Sequence, residues 1–187
     1  ARVHDKIGFS ISRIEILAFR TTLDLERREG LTPVNVSFFP KKVFKKALDL
    51  MKPAFGNGLC VSELVACADE GERLGEVTVP AGYVGFATVC SIVVNGILLK
   101  SGIPMDSTFG GILQLRNGEP LRFIELIQYS GSSLDPSEVF IRGRMTSVRQ
   151  AAEKGEGKIL ANFREIPVPA LKLVGELIVR LRNAGIG

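Results

Sequence analysis

Between Val84 and Tyr129 the chain carries two Asn-Gly pairs, Asn95-Gly96 and Asn117-Gly118, each set between apolar runs and separated by a Gly/Pro-rich connector. Both residue types accept the positive φ that a type I′ turn needs, so the pattern predicts two β-hairpins and makes an antiparallel sheet the centre of the fold. With a two-residue turn at Asn95-Gly96, Cys90 would face Ser101, and Ser91 would face Lys100 on the opposite side. The second turn would set Arg116 opposite Glu119 and leave Arg122 among Leu113, Leu115 and Ile124. An arginine there either snorkels to the sheet edge or meets a buried carboxylate.

The flanking segments supply the other elements. Ile7 to Leu25 is rich in β-branched and aromatic residues and is expected to be mostly strand. Pro33 to Phe39 alternates as a strand does. Pro40 opens a helix with Val43, Phe44, Ala47, Leu48 and Met51 on one side and lysines on the other, and Pro53 is expected to end it. Leu59 to Ala68 and Gly75 to Val79 are expected strands. Asp135-Pro136 starts a short helix, Thr146 caps a second, Lys158 to Ile166 forms a strand, and Pro169 opens the last helix. Residues 33–56 and 158–185 share the order strand, Pro, amphipathic helix, Gly, and each strand holds an asparagine, Asn35 and Asn162. The expected architecture is α+β over residues 1–187 as a single domain. It is a mainly antiparallel sheet on two hairpins, with two longer amphipathic helices and two short ones packed on it. Either the paired units share that sheet with pseudo-symmetry, or their likeness is a chance similarity between two common strand–helix units.

Composition removes several functional classes. The chain has 187 residues, 45% of them hydrophobic and 24% charged, with a net charge of +4, too mild for a basic arm. No apolar run approaches the ~20 residues that span a bilayer, and no signal pattern opens the chain. Three cysteines without CxxC spacing suit a reducing, cytoplasmic setting, and Cys60, Cys67 and Cys90 are expected to be small buried hydrophobes. A single histidine, His4, argues against a histidine triad or a multi-histidine metal site. No nucleotide-binding or hydrolase motif is present. The absence of an initiator Met is what a piece of a longer protein would show.

What remains is a set of cations beside small polar residues. In RGRMTSV, Thr146 and Ser147 start a helix with Arg142, Arg144 and Arg149 close by. That arrangement is either an anion site or an ordinary N-cap with solvated arginines. Arg164 follows on the next strand. Positive charges within structured elements favour a small dicarboxylate over a polymer.

These residues lie in stretches that resemble one family: IGFSISRIEILAF, VNVSF, VPAGYVGFATVCSIVVNGILLKSGIP, FGGILQLRNGEPLRFIELIQYSGSSLDP, EVFIRGRMTSV and GKILANFREIP. Together they resemble the effector-binding domain of the archaeal nitrogen-regulation repressors of NrpR type. The resemblance implies a homodimeric transcriptional repressor that binds 2-oxoglutarate as effector and thereby loosens its operator. DNA would be contacted through a separate winged-helix domain that is not in these residues. No other cofactor, metal or catalytic residue is implied. The expected ligand residues form two clusters: Arg122 with Ser91 and Lys100, and Arg144, Thr146 and Ser147 helped by Arg164. An enzyme acting on a small carboxylate, or a pure dimerisation module, are the alternatives.

Overall fold

A computed structural model of the chain describes residues 10–187. The expected strand before Ser10 lies outside those residues; within them the segment is helical, α1 (Ser10–Arg20). Ser10, Ile14 and Ala18 are its buried residues, and this four-residue spacing is the helical period that the β-branched content obscured.

Strand β1 (Val34–Pro40) and helix α2 (Lys41–Gly56) follow as the sequence suggests, except that Pro53 sits inside the last turn of α2 and does not end it. Strand β2 is only Val65–Ala68. Upstream of it Ser62 is tied to the far end of the chain, its hydroxyl bonding the Gly185 carbonyl, with a bridge to Ile186. Two-residue strands β3 (Arg73–Leu74) and β4 (Val77–Thr78) form a ribbon, and β5 (Tyr83–Val89) enters the core. Cys67 is exposed and Cys60 and Cys90 are half-buried, so the expectation of three buried thiols is corrected.

The first expected hairpin does not exist. Asn95-Gly96 lies in the middle of helix α3 (Ile92–Lys100), whose Val93, Ile97 and Leu98 are buried. A Cβ on Gly96 would come 2.4 Å from Thr21 Cβ, so the missing side chain is what lets the end of α1 cross α3. The second hairpin is as expected: β6 (Asp106–Arg116) and β7 (Glu119–Gln128) pair with Arg116 opposite Glu119. Its turn residues Asn117 and Gly118 have φ of 54° and 80°.

Helix α4 (Pro136–Arg142) has Asp135 as N-cap, accepting from Ser137 N at 2.7 Å. Helix α5 (Val148–Lys154) is preceded by Ser147, not Thr146, as N-cap. Strand β8 (Gly157–Glu165), a 3-10 turn (Val168–Ala170) and helix α6 (Leu171–Asn183) complete the chain. The fold is α+β with every strand pairing antiparallel. Among the described residues there is no shared sheet, however: β1-β5-β2 and β7-β6-β8 are separate three-stranded sheets. Helix α3 passes between them in the chain and packs with α6 in the larger buried cluster, through Val93, Ile97, Leu98, Leu177 and Leu181.

Candidate functional site

Where β5 gives way to α3, the chain turns past the inner side of the second sheet. β8 has a side-chain period of two, which puts Asn162 and Arg164 on one face. Asn162 lies opposite Gly110, and the space of the absent Gly110 side chain is taken by Pro136 and the Tyr129 hydroxyl. Ser107 lies opposite Arg164. The inner face of this sheet is therefore polar at one end and looks onto the first turn of α3.

Arg164 is the hub. Its Nε donates to Asn95 Oδ1 at 2.8 Å, and its Nη2 donates to the carbonyl and hydroxyl oxygens of Ser91, both at 3.1 Å. Asn162 Nδ2 donates to the same Ser91 hydroxyl at 2.8 Å, and Tyr129 donates its phenol to Asn162 Oδ1 at 2.8 Å. Asn95 Nδ2 donates to Ser107 Oγ at 2.8 Å. Asn95 and Ser107 are buried, as is Tyr129. Burial pushes the Tyr129 phenol up to about 12, so it stays a neutral donor. Burial also raises Cys90, whose thiol lies beside Asn35 and the Ile92 N–H at the start of α3. The asparagines of the two similar strand–helix units, Asn35 and Asn162, thus both reach this cluster.

The electrostatics are lopsided. Burial pulls the Arg164 guanidinium below its usual value, yet all of its hydrogen-bond acceptors are neutral. Among the described residues no carboxylate is paired with it. Desolvating a cation without a counter-ion costs several kcal/mol, and the positive end of α3 lies beside it, which adds to the local preference for an anion. Nη1 donates to none of the described residues. That end of the guanidinium fork can take a carboxylate oxygen.

The structure unites two of the seven residues expected from sequence, Ser91 and Arg164, which had been placed in different clusters. Lys100 is not with them: it ends the helix that Ser91 begins, about 13 Å further along the axis, with its ammonium 4.9 Å from the ring centre of Phe19. Arg122 is exposed on β7, donating to Gln114 at 3.3 Å, and is neither buried nor beside a carboxylate. Arg144 is exposed in the α4–α5 connection with φ of 51°. The Ser147 hydroxyl accepts from Lys158 N at 2.9 Å and makes no side-chain bond to the α5 backbone from its N-cap position, while Thr146 is half-buried beside it. Arg142 and Arg149 are occupied by Glu138 and Glu153 one turn away. Ser147 instead lines a polar cavity of about 450 Å³ with Arg116, Gln150 and Lys158. A more apolar cavity of about 580 Å³, between α1 and α3, meets the Arg164 network only through Asn95 and Ser107. No group of three or more metal-binding side chains occurs among the described residues.

Asn162, Tyr129, Ser107 and Asn95 were not singled out from sequence as site residues. Asn162 could have been found, because a strand over 158–166 puts it on the Arg164 face. Asn95 was hidden by the turn reading of its pair.

Known proteins agree with this picture at the level of the family. A solved nitrogen repressor-like protein from Methanococcus jannaschii superposes with a TM-score of 0.75 at 29% identity, over 92% of this chain and 70% of that one. The global nitrogen regulator NrpRI of Methanosarcina mazei is 42% identical over 186 residues, 100% of this chain and 57% of its own length. The global nitrogen regulator NrpR of Methanocaldococcus jannaschii is 30% identical over 97% of this chain and 30% of its own length. The chain therefore spans little more than half of one curated relative and under a third of the other. The family described as NrpR regulatory domains NRD1 and 2 matches residues 7–187, and the chain belongs to it.

Proposed function

We propose that this regulatory domain senses 2-oxoglutarate on Arg164, acts as a homodimer, and uses ligand occupancy to weaken operator binding by a DNA-binding segment outside these residues. The observation that carries the reading is the Arg164 guanidinium, drawn out of water, held by neutral oxygens and unpaired with any described carboxylate. One carboxylate of the ligand would take the Nη1 edge, which bonds none of the described residues, with Ser91 and Asn162 beside it. Neutralising Arg164 redistributes its bonds, and the first to respond is the one to Asn95, which sits on α3 next to Gly96. Gly96 is where α3 meets Thr21 at the end of α1, so a change at Arg164 reaches the α1–α3 crossing through directly packed groups. An effector that favours one arrangement of that crossing by about 1–3 kcal/mol changes operator affinity about 5- to 150-fold.

Isothermal titration calorimetry tests this. The wild-type chain should bind 2-oxoglutarate, Arg164→Ala should lose binding at millimolar ligand while keeping its circular dichroism, and Arg122→Ala and Arg144→Ala should bind as wild type does. No wild-type binding at millimolar ligand, or undiminished binding by Arg164→Ala, would sink the assignment.

A further inference from the structure

The strands of the second sheet share one rung that is polar from edge to edge. Gln114 on β6 lies directly opposite both Arg122 on β7 and Lys158 on β8, so the three side chains leave the same face. Arg122 Nε donates to Gln114 Oε1 at 3.3 Å. With its oxygen turned to Arg122, Gln114 keeps an NH2 group that donates to none of the described residues. Arg116, two residues along β6, belongs to the same face. Gln114, Arg116 and Lys158 line the polar cavity of about 450 Å³ together with Ser147, Gln150 and Glu156.

Backbone bonds and close packing fix the frame of this cavity. Ser147 N donates to Lys158 O at 2.8 Å, and Lys158 N donates back to Ser147 Oγ at 2.9 Å. In the hairpin turn, Gly118 N donates to Gly155 O at 2.8 Å. A Cβ on Gly157 would lie 2.8 Å from Ala151 N, so α5 sits directly on β8 there. A ligand meets a backbone that is already ordered, which keeps the entropic cost of binding low.

The charges here do not cancel. Arg142 and Arg149 are each occupied by a glutamate one turn away, whereas Arg116, Arg122 and Lys158 pair with no described carboxylate. That holds although Glu119 faces Arg116 across the hairpin and Glu156 lines the cavity. Arg122 and Lys158 stand two strand spacings apart, about 10 Å. Like charges grouped on a sheet face destabilise it, and an anion among them removes that repulsion. The donors are a guanidinium, an ammonium, the Gln114 amide and the Ser147 hydroxyl, whose own proton goes to none of the described residues. Such a mixed set suits the tetrahedral oxygens of a phosphate better than a planar carboxylate. The volume falls within the roughly 300–1,000 Å³ of small-molecule sites and leaves room for more than the phosphate. Glu156 can accept from hydroxyls, and Leu121, 51% exposed at the edge, offers an apolar surface. We propose that this cavity binds a small phosphate ester, a sugar phosphate or a mononucleotide. Arg116 and Lys158 take the phosphate oxygens and Glu156 the sugar hydroxyls. The site is separate from Arg164, which lies about 20 Å further along β8.

Calorimetric titration of the 187-residue chain with ribose 5-phosphate, AMP, adenosine and inorganic phosphate decides it. Ribose 5-phosphate and AMP should bind at millimolar ligand, and adenosine, which lacks the phosphate, should not. Equal affinities for the two esters would make the sugar phosphate the whole ligand, and tighter AMP would add a base lying on Leu121. Arg116→Gln and Lys158→Gln, both at exposed positions, should each weaken AMP about 10-fold, the worth of a hydrogen bond to a charged group. Glu156→Gln should weaken ribose 5-phosphate but not inorganic phosphate. Lys172→Gln, on the exposed side of α6, should leave every affinity unchanged. Failure of both esters to bind, adenosine binding as tightly as AMP, or AMP affinity unchanged in the Arg116 and Lys158 variants would overturn the site. Ribose 5-phosphate affinity unchanged in Glu156→Gln would overturn the placement of the sugar.

Discussion

The chain contains the same dipeptide twice, in two backbone states. Asn117-Gly118 takes φ of 54° and 80° and closes the β6–β7 hairpin; Asn95-Gly96 is helical and buried in α3. At the hairpin, both residues are used for their tolerance of a left-handed backbone. In α3 they are used for other properties: asparagine for an amide that gives to Ser107 and takes from Arg164, glycine for its lack of a side chain against Thr21. A local signal states what a dipeptide permits. Which permission is used is decided by contacts distant in sequence.

Substitutions separate the two uses. The largest effect belongs to Gly96→Val, which adds bulk where even a Cβ would meet Thr21 at 2.4 Å; it should cost about 3 kcal/mol or more and lower the urea midpoint. An unchanged midpoint would mean that α1 and α3 do not cross closely. Asn95→Ala comes next, leaving Ser107 and one N–H of Arg164 without their partner. A loss of about 2 kcal/mol is expected, and a double-mutant cycle with Arg164→Ala should show coupling, whereas additive losses would separate the two residues. Smallest is Gly118→Ala. Nothing lies within 4 Å of a Cβ there, so its cost is the positive φ alone, about 1 kcal/mol. That variant should bind 2-oxoglutarate as wild type does, and altered binding would tie the hairpin turn to the site.

The same contrast explains how much could be read in advance. Helix α2, the Asp135 cap of α4, β1, β8 and the Asn117 hairpin are specified within a few residues each, by periodicity, caps and turn chemistry, and they were legible. Helices α1 and α3 were not. Both are rich in β-branched residues and draw their stability from packing on each other, a contact that no window along the chain contains. The site suffered from the same error. Ser91 and Arg164 were both picked out, but the imagined first hairpin bound Ser91 to Lys100, which the real helix places at its opposite end. Exposed arginines in RGRMTSV drew attention because charge is visible in sequence, whereas the lack of any described carboxylate paired with Arg164 is visible only in three dimensions.

Strand β8 has a further consequence. Its run Ala161-Asn162-Phe163-Arg164 sends alternate side chains to opposite sides of the sheet, even positions to the anion-seeking network and odd positions to the face where Phe163 meets Phe109. The strand is a partition one backbone thick, and no side chain of β8 serves both compartments. Any message between them must travel as movement of the partition itself, a slide or twist of its ladder with β6.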